Sequence, residues 1–266
     1  MVKDITLGQY YYGDSIIHRL DPRTKFICSI IFIIELFAFS TVQNYILMFM
    51  IILFLAFLSK IPLLKLLKGI RAMWFIIAIT TILNLFVKDG NIVFSVWKIQ
   101  ITDTGIYRAI FMAVRLSFLV LFSFLLTLTT TANDLTLAIE KLMRPLLKFK
   151  VPVYEIALMT SICLRFIPVL LDEATKIMKA QISRGAMFDS GNVVNRLKSI
   201  GAIFLPLFVA AFRRSNELAI AMEARCYRVG KDRTKMNPLR YSSKDIVMYL
   251  AMLMLFISMI TLNYNG

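Results

Sequence analysis

Apolar runs recur along this chain, and short polar or basic clusters separate them. FICSIIFIIELFAFS (26–40) is the first run long enough to be a spanning candidate. Asp21-Pro22 stands just ahead of it, with Asp suited to cap a helix and Pro to begin one. YILMFMIILFLAFLS (45–59) follows after the uncharged turn TVQN, and MWFIIAITTILNLFV (73–87) is the third run. Residues 88–103 break the pattern. NIVFSVWKIQIT alternates, is rich in β-branched residues and lies between Asp89-Gly90 and Thr104-Gly105, which predicts a hairpin. GIYRAIFMAVRLSFLVLFSFLLTLTT (105–130) is the fourth span, and KDIVMYLAMLMLFISMITLNY (244–264) is the last.

Between Ala132 and Lys244 charged residues interrupt each apolar run before about 20 residues, the length needed to cross a bilayer. GAIFLPLFVAAF (201–212) is the longest pure run, and it is short and holds Pro206. These segments read as amphipathic helices lying at the membrane surface. Asn133 is expected to cap the first, over DLTLAIEKLMRPLLKF. Pro152 begins the second, VYEIALMTSICLRFIPVLLDEATKIMKAQISR, expected to bend near Pro168 and to have Gly185 as its C-terminal cap. GAMFDSGN forms a loop, and a third helix runs from about Val194 to Tyr227, interrupted or bent near Pro206. The expected fold is an all-α membrane protein of about five transmembrane helices plus three long amphipathic helices. Its regions are 1–131 with four spans, 132–243 at the surface, and 244–266 as the last span.

Charge orients this arrangement. The chain has 266 residues, a net charge of +15 and 59% hydrophobic residues. Arg19, Arg23 and Lys25 precede the first span, and Lys60, Lys65, Lys68 and Arg71 follow the second. The positive-inside bias then places the N-terminus in the cytoplasm and the C-terminus outside. A basic balance also suits an acidic partner, but the bias accounts for the overall charge without nucleic acid. MVKDITLGQYYYGDS is polar and aromatic, so it does not read as a cleaved signal peptide.

Two charges fall within spans. Glu35 in the first and Arg115 in the fourth lie at similar expected depth, and isolated charges there are costly and seek partners. A Glu35–Arg115 pair is one reading; separate polar neighbours for each is the other. On the second surface helix Ile156, Met159, Cys163, Ile167 and Leu170 share a face at helical spacing. That face suits either a platform for a membrane partner or packing on the chain's own spans.

Catalytic patterns are sparse. There is no phosphate-loop motif, no His-Glu-x-x-His and no nucleophile–base set. Asp172-Glu173 is the only adjacent acidic pair, weak support for a lipid or prenyl transferase that would hold magnesium. Cys28, Cys163 and Cys226 have neither disulfide nor zinc spacing, and His18 is the single histidine. The chain is read as a non-enzyme without a metal or cofactor of its own.

Two stretches rhyme: AQISRGAMFD (180–189) and AMEARCYRVG (221–230). Each sets an arginine between small residues, Ser183-Arg184-Gly185 and Ala224-Arg225-Cys226, near a helix C-terminus. Cations are favoured at that end by the helix dipole, which is the plain reading. Small neighbours also let another backbone approach, so each guanidinium could bond within a partner's groove.

These motifs, with GDSIIHRLDPRTK (13–25), LRFIPVLLDEATKIMKAQISRG (164–185) and RRSNELAIAMEARCYRVGKDRT (213–234), resemble the transmembrane T component of energy-coupling factor transporters. The resemblance covers nearly the whole chain. It implies a subunit that joins two ABC-type ATPases (EcfA and EcfA') to a small substrate-binding membrane protein, the S component. ATP and magnesium would be bound by the ATPases. It further implies that Arg184 and Arg225 dock into the ATPases. Their motion on ATP binding would reorient the S component for uptake of a vitamin or other micronutrient across a prokaryotic cell membrane. In the family both motifs are Ala-Arg-Gly-like, so Ser183 and Cys226 are departures. A left-handed cap is harder for Cys than for Gly, so the third helix is expected to run on toward Gly230.

Overall fold

The computed structural model of the chain describes residues 10–86, 92–96, 99–185, 193–228 and 239–265. The helices are α1 (Pro22–Ala38), α2 (Val42–Ser59), α3 (Leu63–Leu85), α4 (Asp103–Thr129), α5 (Ala132–Met143), α6 (Val153–Ser183), α7 (Val193–Ala224) and α8 (Ser243–Asn265). The predicted hairpin is present as β1 (Ile92–Val96) and β2 (Ile99–Thr102), antiparallel with Val96 opposite Ile99. The chain divides into two compact units, one drawn from 8–139 and 239–266 and the other from 140–238.

In the first unit α1 is the central helix. Phe32 and Leu36 are fully buried. Phe32 stacks on Phe122 of α4 at 4.1 Å between ring centroids, and Phe39 meets Phe256 of α8 edge-on. Close approach of α3 and α4 depends on Gly69, where an added Cβ would lie 3.0 Å from the Phe124 ring. Helix starts and ends alternate through this bundle, because tight loops join α1 to α2 and α2 to α3.

One end of the bundle is locked by polar residues of the 13–25 segment. Asp21 caps α1, accepting from the Arg23 amide at 2.9 Å, with Pro22 at the first turn as expected. The Asp21 amide donates to the Asp245 carboxylate at 2.9 Å, and Asp245 also accepts from the Ser242 amide at 2.7 Å. This fastens the starts of α1 and α8. The Lys25 ammonium donates to the carbonyls of His18 and Thr129, and the Tyr11 amide donates to Leu128. These tie the same segment to the end of α4. Lys25 and Asp245 are buried, so each bond forms where water cannot replace it.

Several boundaries differ from the sequence reading. α3 begins at Leu63 rather than near Met73, because Leu and Lys are strong helix formers and no breaker follows Pro62. The Lys65–Arg71 cluster is therefore the first two turns of α3, not a loop. Thr131, not Asn133, caps α5: its hydroxyl accepts from the Asp134 amide at 3.1 Å and donates to the Asp134 carboxylate. The expected helix over 134–149 is broken into α5 and a 3-10 turn, Arg144–Phe149, with Pro145 at its start. Its residue 145 has no amide hydrogen to continue the α pattern.

Among the described residues five helices are long and apolar enough to cross a membrane: α2, α3, α4, α6 and α8. This departs from the sequence reading at two places. α6 meets the length and composition of a span, because its charges at Glu155 and Arg165 are too few to interrupt it. α1, at 17 residues, falls just short of that length. Both α6 and α7 continue through their internal prolines, Pro168 and Pro206.

Candidate functional site

In the second unit α6 and α7 pack against each other. Glu173 of α6 faces Arg214 of α7, with 3.7 Å between charged atoms. On one side of this contact Cys163, Ile167 and Leu170 meet Ala211 and Leu218 around a cleft of about 300 Å³. On the other, Glu173 and Ile177 meet Leu205, Val209 and Arg213. Rising positions on α6 thus meet falling positions on α7, so the helices cross in opposite directions.

The two arginine motifs are one structure built twice. Ser183 and Ala224 are the last residues of their helices. Arg184 and Arg225 follow as caps, their amides donating to Gln181 and Met222, each at 3.1 Å. Gly185 and Cys226 come next, both left-handed, with φ of +88° and +56°. Their amides donate back to Ile182 at 2.9 Å and Glu223 at 2.8 Å. In the second motif the Tyr227 amide also reaches Met222 at 3.0 Å, completing a Schellman cap. The expectation that Cys226 would let α7 run toward Gly230 is corrected: α7 stops at Ala224, and Cys226 adopts the conformation that the first motif gives to glycine. Gly230 itself lies outside the described residues, as does most of the GAMFDSGN loop.

The local chemistry follows from the cap. Four carbonyls at a helix C-terminus lack intrahelical partners, and the left-handed turn folds the next amides back onto some of them. It also turns the chain sharply away, leaving the cap side chain at the tip. All six motif residues are exposed: Ser183, Arg184, Gly185, Ala224, Arg225 and Cys226. Among the described residues neither arginine side chain has a hydrogen-bond or ion-pair partner. Nothing stands within 4 Å of where a Gly185 Cβ would be, so glycine there answers to backbone conformation alone.

Placement along the helices is also matched. Eleven residues separate Glu173 from Arg184, and eleven separate Arg214 from Arg225. At about 1.5 Å per residue both tips lie roughly 16 Å beyond the crossing.

The face proposed for a membrane partner is divided. Ile156 and Met159 are exposed, at 42% and 59%. Ile167 and Leu170 are half-buried and, with Cys163, turn into the cleft against α7. Sequence reasoning missed the larger apolar surface on α7. Phe204 stacks on Phe208 with centroids 6.0 Å apart, Phe208 meets Phe212 edge-on at 4.7 Å, and each ring is half exposed or more. Their spacing of four is visible in GAIFLPLFVAAF, where length and Pro206 alone do not reveal it.

The Glu35–Arg115 pair is not formed. The Arg115 Nε donates to the Tyr45 hydroxyl at 2.7 Å, with its guanidinium 5.6 Å from the Phe37 ring centre. Phe37 lies two residues from Glu35, about 200° around the helix, so Arg115 addresses the opposite face. Glu35 is fully buried, and neither carboxyl oxygen has a hydrogen-bond partner. Among the described residues no group of three His, Cys, Asp or Glu is placed to hold a metal ion.

Residues 13–236 match the CbiQ family, described as cobalt transport protein. The energy-coupling factor transporter transmembrane protein EcfT of Clostridium kluyveri is 46% identical over 96% of this chain and 95% of its own length. The proteins of that name from Ruminiclostridium cellulolyticum and Bacillus subtilis are 48% and 41% identical, over 93% and 96% of this chain and 92% and 97% of theirs. The alternating apolar bundle, the crossed pair of long helices and this likeness over nearly the full length lead to one assignment: the chain is a multi-pass membrane protein of the CbiQ family, of the energy-coupling factor transporter transmembrane (EcfT) type.

Proposed function

We propose that this chain is the non-catalytic coupling subunit of an ATP-driven importer in a prokaryotic cell membrane. Arg184 and Arg225 dock into two ABC-type ATPase subunits, one arginine to each. ATP and magnesium bind to those partners. The exposed apolar surface of α6 and α7 receives a membrane-embedded S component, whose reorientation delivers a vitamin or other micronutrient. The observation that carries this reading is the duplicated cap. Two crossing helices end at equal distances in the same backbone turn, and each presents an unpartnered guanidinium. A single helix end could carry an arginine for the dipole alone. Two matched ends suit two matched receptors, and a planar fork of donors suits carboxylates or carbonyls in a groove. α6 and α7 also expose apolar side chains, Ile156 and Met159 on one and Phe204, Phe208 and Phe212 on the other, a surface that calls for a partner.

Co-expression with the two ATPases and affinity capture from detergent tests the docking. Arg184→Ala and Arg225→Ala are each expected to weaken capture, and the double variant to abolish it while remaining monodisperse. Undiminished capture by the double variant, with undiminished coupled uptake, would return both arginines to simple helix ends.

A further inference from the structure

We propose that the locked end of the first unit holds an anionic phospholipid. A cleft of about 790 Å³ opens there between the end of α2, the start of α8 and the segment before α1. Its wall is apolar, formed by Leu53, Ala56, Phe57 and Ile61. Phe57 is 81% exposed and Leu53 39%, on a helix apolar enough to span a membrane. Its rim is basic: Lys60 and Lys244 close it at the ends of two spanning helices, α2 and α8. Arg19 also lines it, but Asp14 holds that guanidinium through two short bonds, one of them 2.6 Å. Lys60 also feels the charge of Asp14, which Arg19 already engages, and among the described residues neither Lys60 nor Lys244 has a side-chain hydrogen-bond or ion-pair partner.

The geometry selects the occupant. Apolar wall and cationic rim meet where α2 and α8 leave the apolar layer, the level at which acyl chains give way to headgroups. A phospholipid phosphate would meet both lysines while its acyl chains lie along Phe57 and Leu53. Basic residues at that level favour anionic over neutral lipid. Lys60 adds a second observation. Its backbone is left-handed, φ +55°, at the cap of α2. Glycine is the ordinary residue there and lysine is strained. Glycine at this position would remove both the cation and the strain.

That feature supplies a clean variant. Lys60→Gly removes the charge and relaxes the backbone, so it does not endanger folding; Lys244→Gln removes the second charge at an exposed site. The full-length chain, purified in mild detergent with any subunits that accompany it, is titrated with phosphatidylglycerol or phosphatidylcholine and weighed by native mass spectrometry. The wild type is expected to retain one phosphatidylglycerol at least about tenfold more tightly than phosphatidylcholine. The Lys60→Gly/Lys244→Gln variant is expected to hold both equally, and Phe57→Ser to weaken both. Inorganic phosphate at millimolar concentration is expected not to displace the lipid. Equal retention of the two lipids by the wild type, an unchanged preference in the double variant, or displacement by phosphate would each overturn the assignment.

Discussion

Cys226 holds its backbone where a side chain costs about 1 kcal/mol, and the first motif shows glycine in the equivalent place. Cys226→Gly is therefore expected to stabilise the protein by about 0.5 kcal/mol, after the greater freedom that glycine gives the unfolded chain. Gly185→Ala, free of any steric contact, is expected to cost about 1 kcal/mol from conformation alone. Thermal unfolding of the two variants in detergent checks both signs. His18 offers a pH test. Its Nε2 bonds with the Tyr11 carbonyl at 3.0 Å and its Nδ1 with the Ser15 hydroxyl at 2.7 Å. That pattern fits a neutral ring that donates from Nε2 and accepts at Nδ1. Burial, aided by the nearby Lys25 charge, holds its pKa below the ordinary 6.5. In this range the unfolded chain binds a proton more readily than the fold. The His18 contribution to stability is thus complete above about pH 6.5 and is lost as pH falls below it. The melting temperature is expected to decline on acidification more steeply for wild type than for His18→Gln; parallel declines would remove His18 as the cause.

At the scale of elements, the polar lock is where one substitution should reach furthest. Asp245 accepts two amides, one from each of two helix starts, while 1% exposed. Asp245→Ala leaves the Asp21 amide buried without an acceptor, at about 2–3 kcal/mol, and Asp245→Asn should cost less because one acceptor oxygen remains. Chemical denaturation comparing the three proteins measures this. Much at this scale was legible in the sequence where the signal is local. Asp21-Pro22 marks the start of α1, alternation marks the hairpin, and Pro152 and Gly185 bracket α6. Hydropathy marks the apolar stretches of α2, α3, α4 and α8 but not where helices start, so the basic first turns of α3 escape it, and it sets α6 apart from the spans. The cap of α5 was misplaced because Thr131 and Asn133 are both able cappers, and only the backbone path decides between them. The Glu35–Arg115 expectation failed for a related reason. Depth along a span can be counted from sequence, but the side of a helix that meets a given neighbour is set by packing. The rhyme between the arginine motifs was visible at once; that Cys226 completes it, rather than breaking it, needed the backbone angle.

At the scale of the whole molecule, each unit joins its parts differently. The first is a packed bundle with its polar bonds gathered at one end; the second is a crossed pair in which apolar side chains flank a partly exposed ion pair at 3.7 Å. Exposed pairs of this kind contribute little stability, about 0–1 kcal/mol, so the ion pair itself does little to fix the crossing angle. The equal lengths beyond Glu173 and Arg214 then acquire a mechanical meaning. The helices run in opposite directions, so the two tips lie at opposite ends of the pair, each short arm beside the other helix's long one. On α7 the long arm runs 21 residues from Arg214 back to Val193, against 11 to Arg225. A turn of α7 about the crossing therefore moves its far end about twice as far as its tip, a ratio fixed by residue count. That long arm carries Phe204, Phe208 and Phe212. Spin-label distances from Met159 to Leu205, with and without ATP in the assembled complex, should change more than distances from Gln181 to Met222; the reverse ranking would mean that the joint bends rather than turns.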